Sequence, residues 1–71
     1  MGELPIAAVD RLIRKSGARR VSESAAAALA EVLEERALAI ASEAARLAEH
    51  AGRRTVRDVD IRLAARRTIS V

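Results

Sequence analysis

From Ser22 to Ala51 the chain runs for thirty residues without a proline or a glycine, SESAAAALAEVLEERALAIASEAARLAEHA, drawn mostly from Ala, Leu, Glu and Arg. These side chains lose little rotamer freedom on a helix, so the stretch predicts one continuous helix. Ser22 is placed to cap its first turn through the hydroxyl, and Gly52 stands where a left-handed stop is needed. At 1.5 Å per residue such a helix is about 45 Å long, whereas a compact globule of this chain length is about 30 Å across. The helix also carries an apolar stripe. Leu29, Val32, Leu33, Ile40, Ala44, Leu47 and Ala51 recur at spacings of three and four, with Glu31, Glu34, Glu35, Arg46 and Glu49 mostly on the other side. An element that outreaches its own globule with an apolar stripe attached must cover it elsewhere. The expectation is an obligate oligomer, a homodimer made by crossing this helix with its own copy.

The rest of the composition supports that need. Seventy-one residues make one domain, 1–71, near the size at which a single core gives marginal stability. Seventeen of its apolar residues are alanine and none is aromatic, so a monomeric core would be thin. There is no cysteine, and the longest apolar run is six residues, Ala25 to Ala30, so no disulfide framework, membrane span or export signal is indicated. A soluble protein of the cytoplasm is expected. His50 is the sole histidine and has no second soft ligand to complete a metal site, nor a nucleophile at a recognisable spacing. No enzyme, metal or cofactor is expected.

Two shorter helices flank the long one. Pro5 suits the first turn of a helix over about 5–16, with Ile6, Val9, Leu12 and Ile13 as its apolar face and Gly17 as its stop. A basic loop, 17–21, leads into the helix over about 22–51. A second basic loop, 52–56, leads into a helix over about 57–67, for which Thr55 and Asp58 have the spacing of a capping box; Thr68 to Val71 are expected to fray. The charge follows this layout. Residues 1–21 hold five basic and two acidic groups, 22–51 two and six, and 52–71 six and two, and twelve of the thirteen cations are Arg. The cations crowd the flanks and the loops GARRVS and GRRTVR, at opposite ends of the long helix. Antiparallel crossing of two such helices would pair loop 1 of one copy with loop 2 of the other. The two basic patches that result suit a polyanion bent around the particle.

The residues ELPIA at Glu3–Ala7, GARRVS at Gly17–Ser22, LEE at Leu33–Glu35, IASEA at Ile40–Ala44, LAEHAGRRT at Leu47–Thr55 and LAARR ending at Arg67 carry a resemblance to the archaeal histones over nearly the whole chain. The resemblance implies an all-α histone fold, a head-to-tail handshake homodimer, and sequence-tolerant wrapping of double-stranded DNA that compacts the chromosome. It implies further dimer–dimer assembly through a four-helix bundle. By residue, Arg11, Arg20, Arg54 and Thr55 match its DNA-facing positions. Arg53 and Asp60 match a buried ion pair that fixes loop 2, and Leu47, His50, Asp60 and Leu63 match the dimer–dimer contact. Arg14 and Arg57, beside these positions, are added as candidate phosphate ligands. Arg19 and Arg62 are read as solvated. This sequence departs from the family in Arg36 near the helix midpoint, in the small residues Ala25–Ala28 and Ala37, and in a C-terminal Thr-Ile-Ser-Val where a basic tail is usual.

Duplex DNA, a second copy of the chain and a histone paralogue are therefore the expected partners, with the chromosome in the cytoplasm as the location. One alternative is a histone-fold module that only scaffolds a larger complex, against which the basic loops argue. A membrane-surface peptide would need a cationic polar face, and here that face is acidic.

Overall fold

The computed structural model describes residues 2–69, and among these it contains three α-helices and no strand. They are α1 (Ile6–Lys15), α2 (Glu23–His50) and α3 (Asp58–Ile69). The chain divides into two compact units, Met1–Glu35 and Arg36–Val71, and α2 runs through both.

Local chemistry explains most boundaries. Pro5 sits one position earlier than expected, at the N-cap of α1 rather than in its first turn, with φ −68° and ψ 122°, and its carbonyl accepts the Val9 N–H at 3.2 Å. Ser16 closes α1 through its hydroxyl, which donates to the Ile13 carbonyl at 2.6 Å, and Gly17 takes a positive φ of 120°. Ser22 caps α2: its Oγ accepts the Ala25 N–H at 3.1 Å. At the other end the Arg53 N–H reaches the Ala48 carbonyl and the Gly52 N–H the Glu49 carbonyl, both at 2.9 Å, with Gly52 at φ 75°. That is a Schellman stop, and its left-handed residue is why a glycine stands there.

The start of α3 differs from the expectation. Thr55 and Asp58 do not form the capping box; the helix begins at Asp58, and it is Asp60, three residues beyond Arg57, whose carboxylate accepts the Arg57 N–H at 2.8 Å. A carboxylate at the third helical position is the one that reaches back to the N–H of the residue preceding the helix, here Arg57. Asp60 wins because it is also held by Arg53. Thr68 is helical rather than frayed, its hydroxyl donating to the Ala65 carbonyl at 3.3 Å. Ser70 and Val71 lie outside the described residues.

Burial is inverted for a protein that folds alone. The buried apolar residues are Val9, Ala26 and Ala30 in the first unit and Ala44, Ala48 and Ala64 in the second. The larger ones face outward: Ile6, Leu12 and Val32 in the first unit, Leu38, Val56, Val59, Ile61 and Leu63 in the second. Of the stripe expected on α2, Ala44 is buried, Leu29, Leu33, Ile40 and Leu47 are half-buried, and Val32 and Ala51 are exposed. Each leucine, isoleucine or valine fully buried stabilises by about 1.5–3 kcal/mol, and within one chain most of that gain is not taken. A second copy can supply it. The melting temperature is therefore expected to rise with protein concentration, as linkage to dimerisation requires. A value unchanged over a hundredfold dilution in scanning calorimetry would contradict an obligate dimer.

Candidate nucleic-acid interface

The second basic loop is built around one guanidinium. Arg53 donates Nη2 to Asp60 Oδ1 at 2.8 Å and Nη1 to Asp60 Oδ2 at 2.9 Å, and the same Nη1 reaches the carbonyl oxygen of Thr55 at 3.0 Å. Asp60 also accepts the Arg57 N–H, and the residue is only 4% exposed. Two charged hydrogen bonds and a backbone donor all favour the carboxylate. The Arg53 guanidinium, and after it the Arg57 N–H, hold the Asp60 carboxyl at about 2, below its ordinary 3.8. The loop backbone is thereby tied to the first turn of α3, and the side chains of Arg54 and Thr55 are left on the outside.

The first loop lies in the other unit and leaves Arg20 exposed in the same way. Arg11 is exposed on α1 and Arg57 at the start of α3. Among the described residues, Arg11, Arg20, Arg54 and Arg57 form no ion pair within 4 Å, although the Arg57 charge lies close enough to Asp60 to help lower its pKa. Arg14 is different. Its Nε donates to Asp10 Oδ2 at 2.8 Å and its Nη1 to the Arg19 carbonyl at 3.2 Å. Arg62, read as solvated, forms an exposed i,i+4 pair with Asp58 at 2.9 Å.

Of the remaining candidates, His50 is the exposed last residue of α2, Leu47 is half-buried and Leu63 is 42% exposed. Asp60 is the exception in that group, since its two oxygens already accept three hydrogen bonds within the chain.

Two tethers escape sequence reasoning. Glu34 Oε1 accepts the N–H groups of Gly2 and Glu3 at 3.1 and 3.0 Å, which anchors the N-terminal arm on α2 and, chiefly through the Glu3 N–H, lowers the Glu34 pKa. Glu43 accepts from Arg46 in its own helix and, at 3.1 Å, from Arg67 on α3, and both guanidiniums lower its pKa, Arg46 first. The Asp10–Arg14 pair could have been found from its i,i+4 spacing; the Arg67 and arm contacts have no local signal.

A short capped helix, an anchored basic loop, a long central helix, a second anchored basic loop and a third helix make up the chain, and the sequence comparisons agree with this plan. The family model for the histone-like transcription factors (CBF/NF-Y) and archaeal histones matches residues 2–65. The chain belongs to the archaeal histone family. It is 61% identical to one subunit of the archaeal histone HAN1 of Thermococcus zilligii over 66 residues, covering 93% of this chain and 98% of that protein. It is 50% identical to probable archaeal histone 3 of Methanocaldococcus jannaschii over the same length and coverage. Archaeal histones are structural proteins of chromatin and not enzymes. Histone-fold chains dimerise, which answers the inverted burial. Among the described residues no helix is long and apolar enough to cross a membrane.

Proposed function

We propose that this histone, a DNA-binding chromatin protein, wraps double-stranded DNA as a single-domain handshake homodimer associated with the chromosome in the cytoplasm. The observation that carries the reading is that Arg11, Arg20, Arg54 and Arg57 are exposed and, like Arg19, Arg36 and Arg66, form no ion pair among the described residues. Two of them, Arg20 and Arg54, sit in loops whose backbones are tied down by other arginines. A cation that has no carboxylate of its own loses nothing by turning to phosphate, and a tethered loop loses little entropy on binding. In the handshake, loop 1 of one copy lies beside loop 2 of the other, so Arg20 meets Arg54 and Thr55 at each of two patches. Arginine from these patches enters the minor groove where it faces the protein, drawn by the negative potential of the narrow groove. Base identity is hardly read, because phosphates carry no sequence information.

Beyond the dimer, Leu47, His50 and Leu63 form the contact that joins one dimer to the next, with Asp60 held rigid among them by Arg53. A histone paralogue that offers the same surfaces can replace one copy. The test is nuclease digestion of complexes assembled on random-sequence duplex. Wild-type protein should protect a ladder of lengths. His50→Ala should leave dimer folding nearly intact and shorten protection to the footprint of isolated dimers. An unchanged ladder would mean that His50 does not join dimers, and no protection at all would favour a histone-fold scaffold that leaves DNA unwrapped.

A further inference from the structure

Loop 2 is held by a guanidinium that spans a carboxylate and a loop carbonyl next to an exposed arginine: Arg53, between Asp60 and the Thr55 oxygen, beside Arg54. Loop 1 contains the same device made from other residues. Arg14, in the last turn of α1, spans the Asp10 carboxylate at 2.8 Å and the Arg19 carbonyl at 3.2 Å, beside Arg20. That carbonyl belongs to the planar peptide joining Arg19 to Arg20, so holding it orients the backbone from which Arg20 projects. Among the described residues, positions 18–21 make no backbone–backbone hydrogen bond, and they follow Gly17 at φ 120°. The backbone there has no ladder of its own to hold it. Within one chain, the Arg14 guanidinium is the side-chain tether on this segment.

We propose that Arg14 is a positioning residue for Arg20, not a phosphate ligand, and that Asp10 orients Arg14 for the task. This role rests on the DNA-binding reading above. It reverses what simple electrostatics expects of Asp10. A carboxylate near a DNA-binding loop repels phosphate, so its removal should tighten binding; if the carboxylate instead holds the strut that presents Arg20, its removal should weaken binding.

Two substitutions separate charge from geometry. Asp10→Ala and Asp10→Asn remove the same negative charge, but asparagine keeps an oxygen that accepts from Arg14 Nε. Alanine is a good helix former at this helical position, so folding is retained. Affinity for random-sequence duplex is measured at one fixed salt concentration. In parallel, without DNA, trypsin cleavage after Arg19 and after Arg20 is followed by mass spectrometry. Asp10→Ala is expected to bind about threefold to tenfold more weakly than wild type, the size of a lost exposed pair counted in both copies. Its loop should also be cleaved several-fold faster, and Arg14→Ala should match it, while Asp10→Asn recovers both properties. Tighter binding by Asp10→Ala, or cleavage rates equal to wild type, overturns the strut while leaving the DNA-binding reading in place. A wild type that fails to bind duplex overturns that reading, and with it the role of Arg20.

Discussion

Affinity for random-sequence duplex should collapse as salt is raised. If one dimer neutralises about six to ten phosphates, log K falls against log salt with a slope on the order of −5 to −9, a loss of about 10³ to 10⁵ between 50 and 200 mM. The cause is the release of counterions condensed on the DNA, and it scales with the number of cations that reach phosphate. Arg20 and Arg54 are each present twice in a dimer, so Arg20→Ala or Arg54→Ala should flatten the slope by about 2. Arg62→Ala should leave it nearly unchanged, because Arg62 is already paired with Asp58 on α3. Fluorescence anisotropy titrations at four or five salt concentrations measure all of these. A wild-type slope shallower than about −2 is incompatible with wrapping, and equal effects from Arg20 and Arg62 would mean that net charge matters and placement does not.

Asp60→Asn should cost more stability than any of these arginine substitutions. The change leaves the Arg53 guanidinium, 24% exposed, with an amide in place of a carboxylate, and one face of that amide is a donor turned toward donors. It also weakens the cap on the Arg57 N–H. A melting temperature lower by on the order of 15 °C or more at pH 7 is expected. The pH dependence identifies the cause. The Asp60 carboxyl titrates at about 2 in the folded chain against an ordinary 3.8. Between those values the unfolded chain takes up a proton that the folded chain refuses, so stability is fully present above about pH 4 and is lost as pH falls toward 2. Glu34 and Glu43, lowered in the same direction, add to this acid limb. In Asp60→Asn the acid limb should be shallower than in wild type, with the Glu34 and Glu43 part remaining. Thermal melts by circular dichroism from pH 7 down to pH 2.5 make the comparison. A parallel pair of curves would show that Asp60 does not titrate as its contacts require.

Much of the fold was legible because it depends on neighbours within a turn. Proline, glycine and serine mark where α1 and α2 begin and end, and Ser22, Gly17 and Gly52 take the caps and positive φ that those residue types favour. The long uninterrupted run was enough to require a partner, since a helix of 28 residues with outward-facing valine and leucine is not satisfied by one short chain. The Arg53–Asp60 pair, seven residues apart, was legible only through the resemblance to archaeal histones, because no periodicity links a loop arginine to an aspartate in the next helix.

The rest was decided in three dimensions. A T-x-x-D spacing at Thr55 and Asp58 satisfies the local rule for a helix start, yet Asp60 caps α3, because a carboxylate already fixed by Arg53 is in place to accept the Arg57 N–H as well. Arg14 and Arg20 look alike as basic residues around the same loop, but one carries a carboxylate partner and a backbone carbonyl and the other carries neither. Glu34 with Gly2 and Glu43 with Arg67 join residues 32 and 24 positions apart. Helix propensity, caps and apolar spacing act over three or four residues, so the three helices, their stops and an apolar surface left for a partner follow from the order of residues along the chain. Which arginines are spent on holding the loops and which remain for a phosphate depends on the distance between a guanidinium and a carboxylate, and only the packing of helix against loop sets that distance.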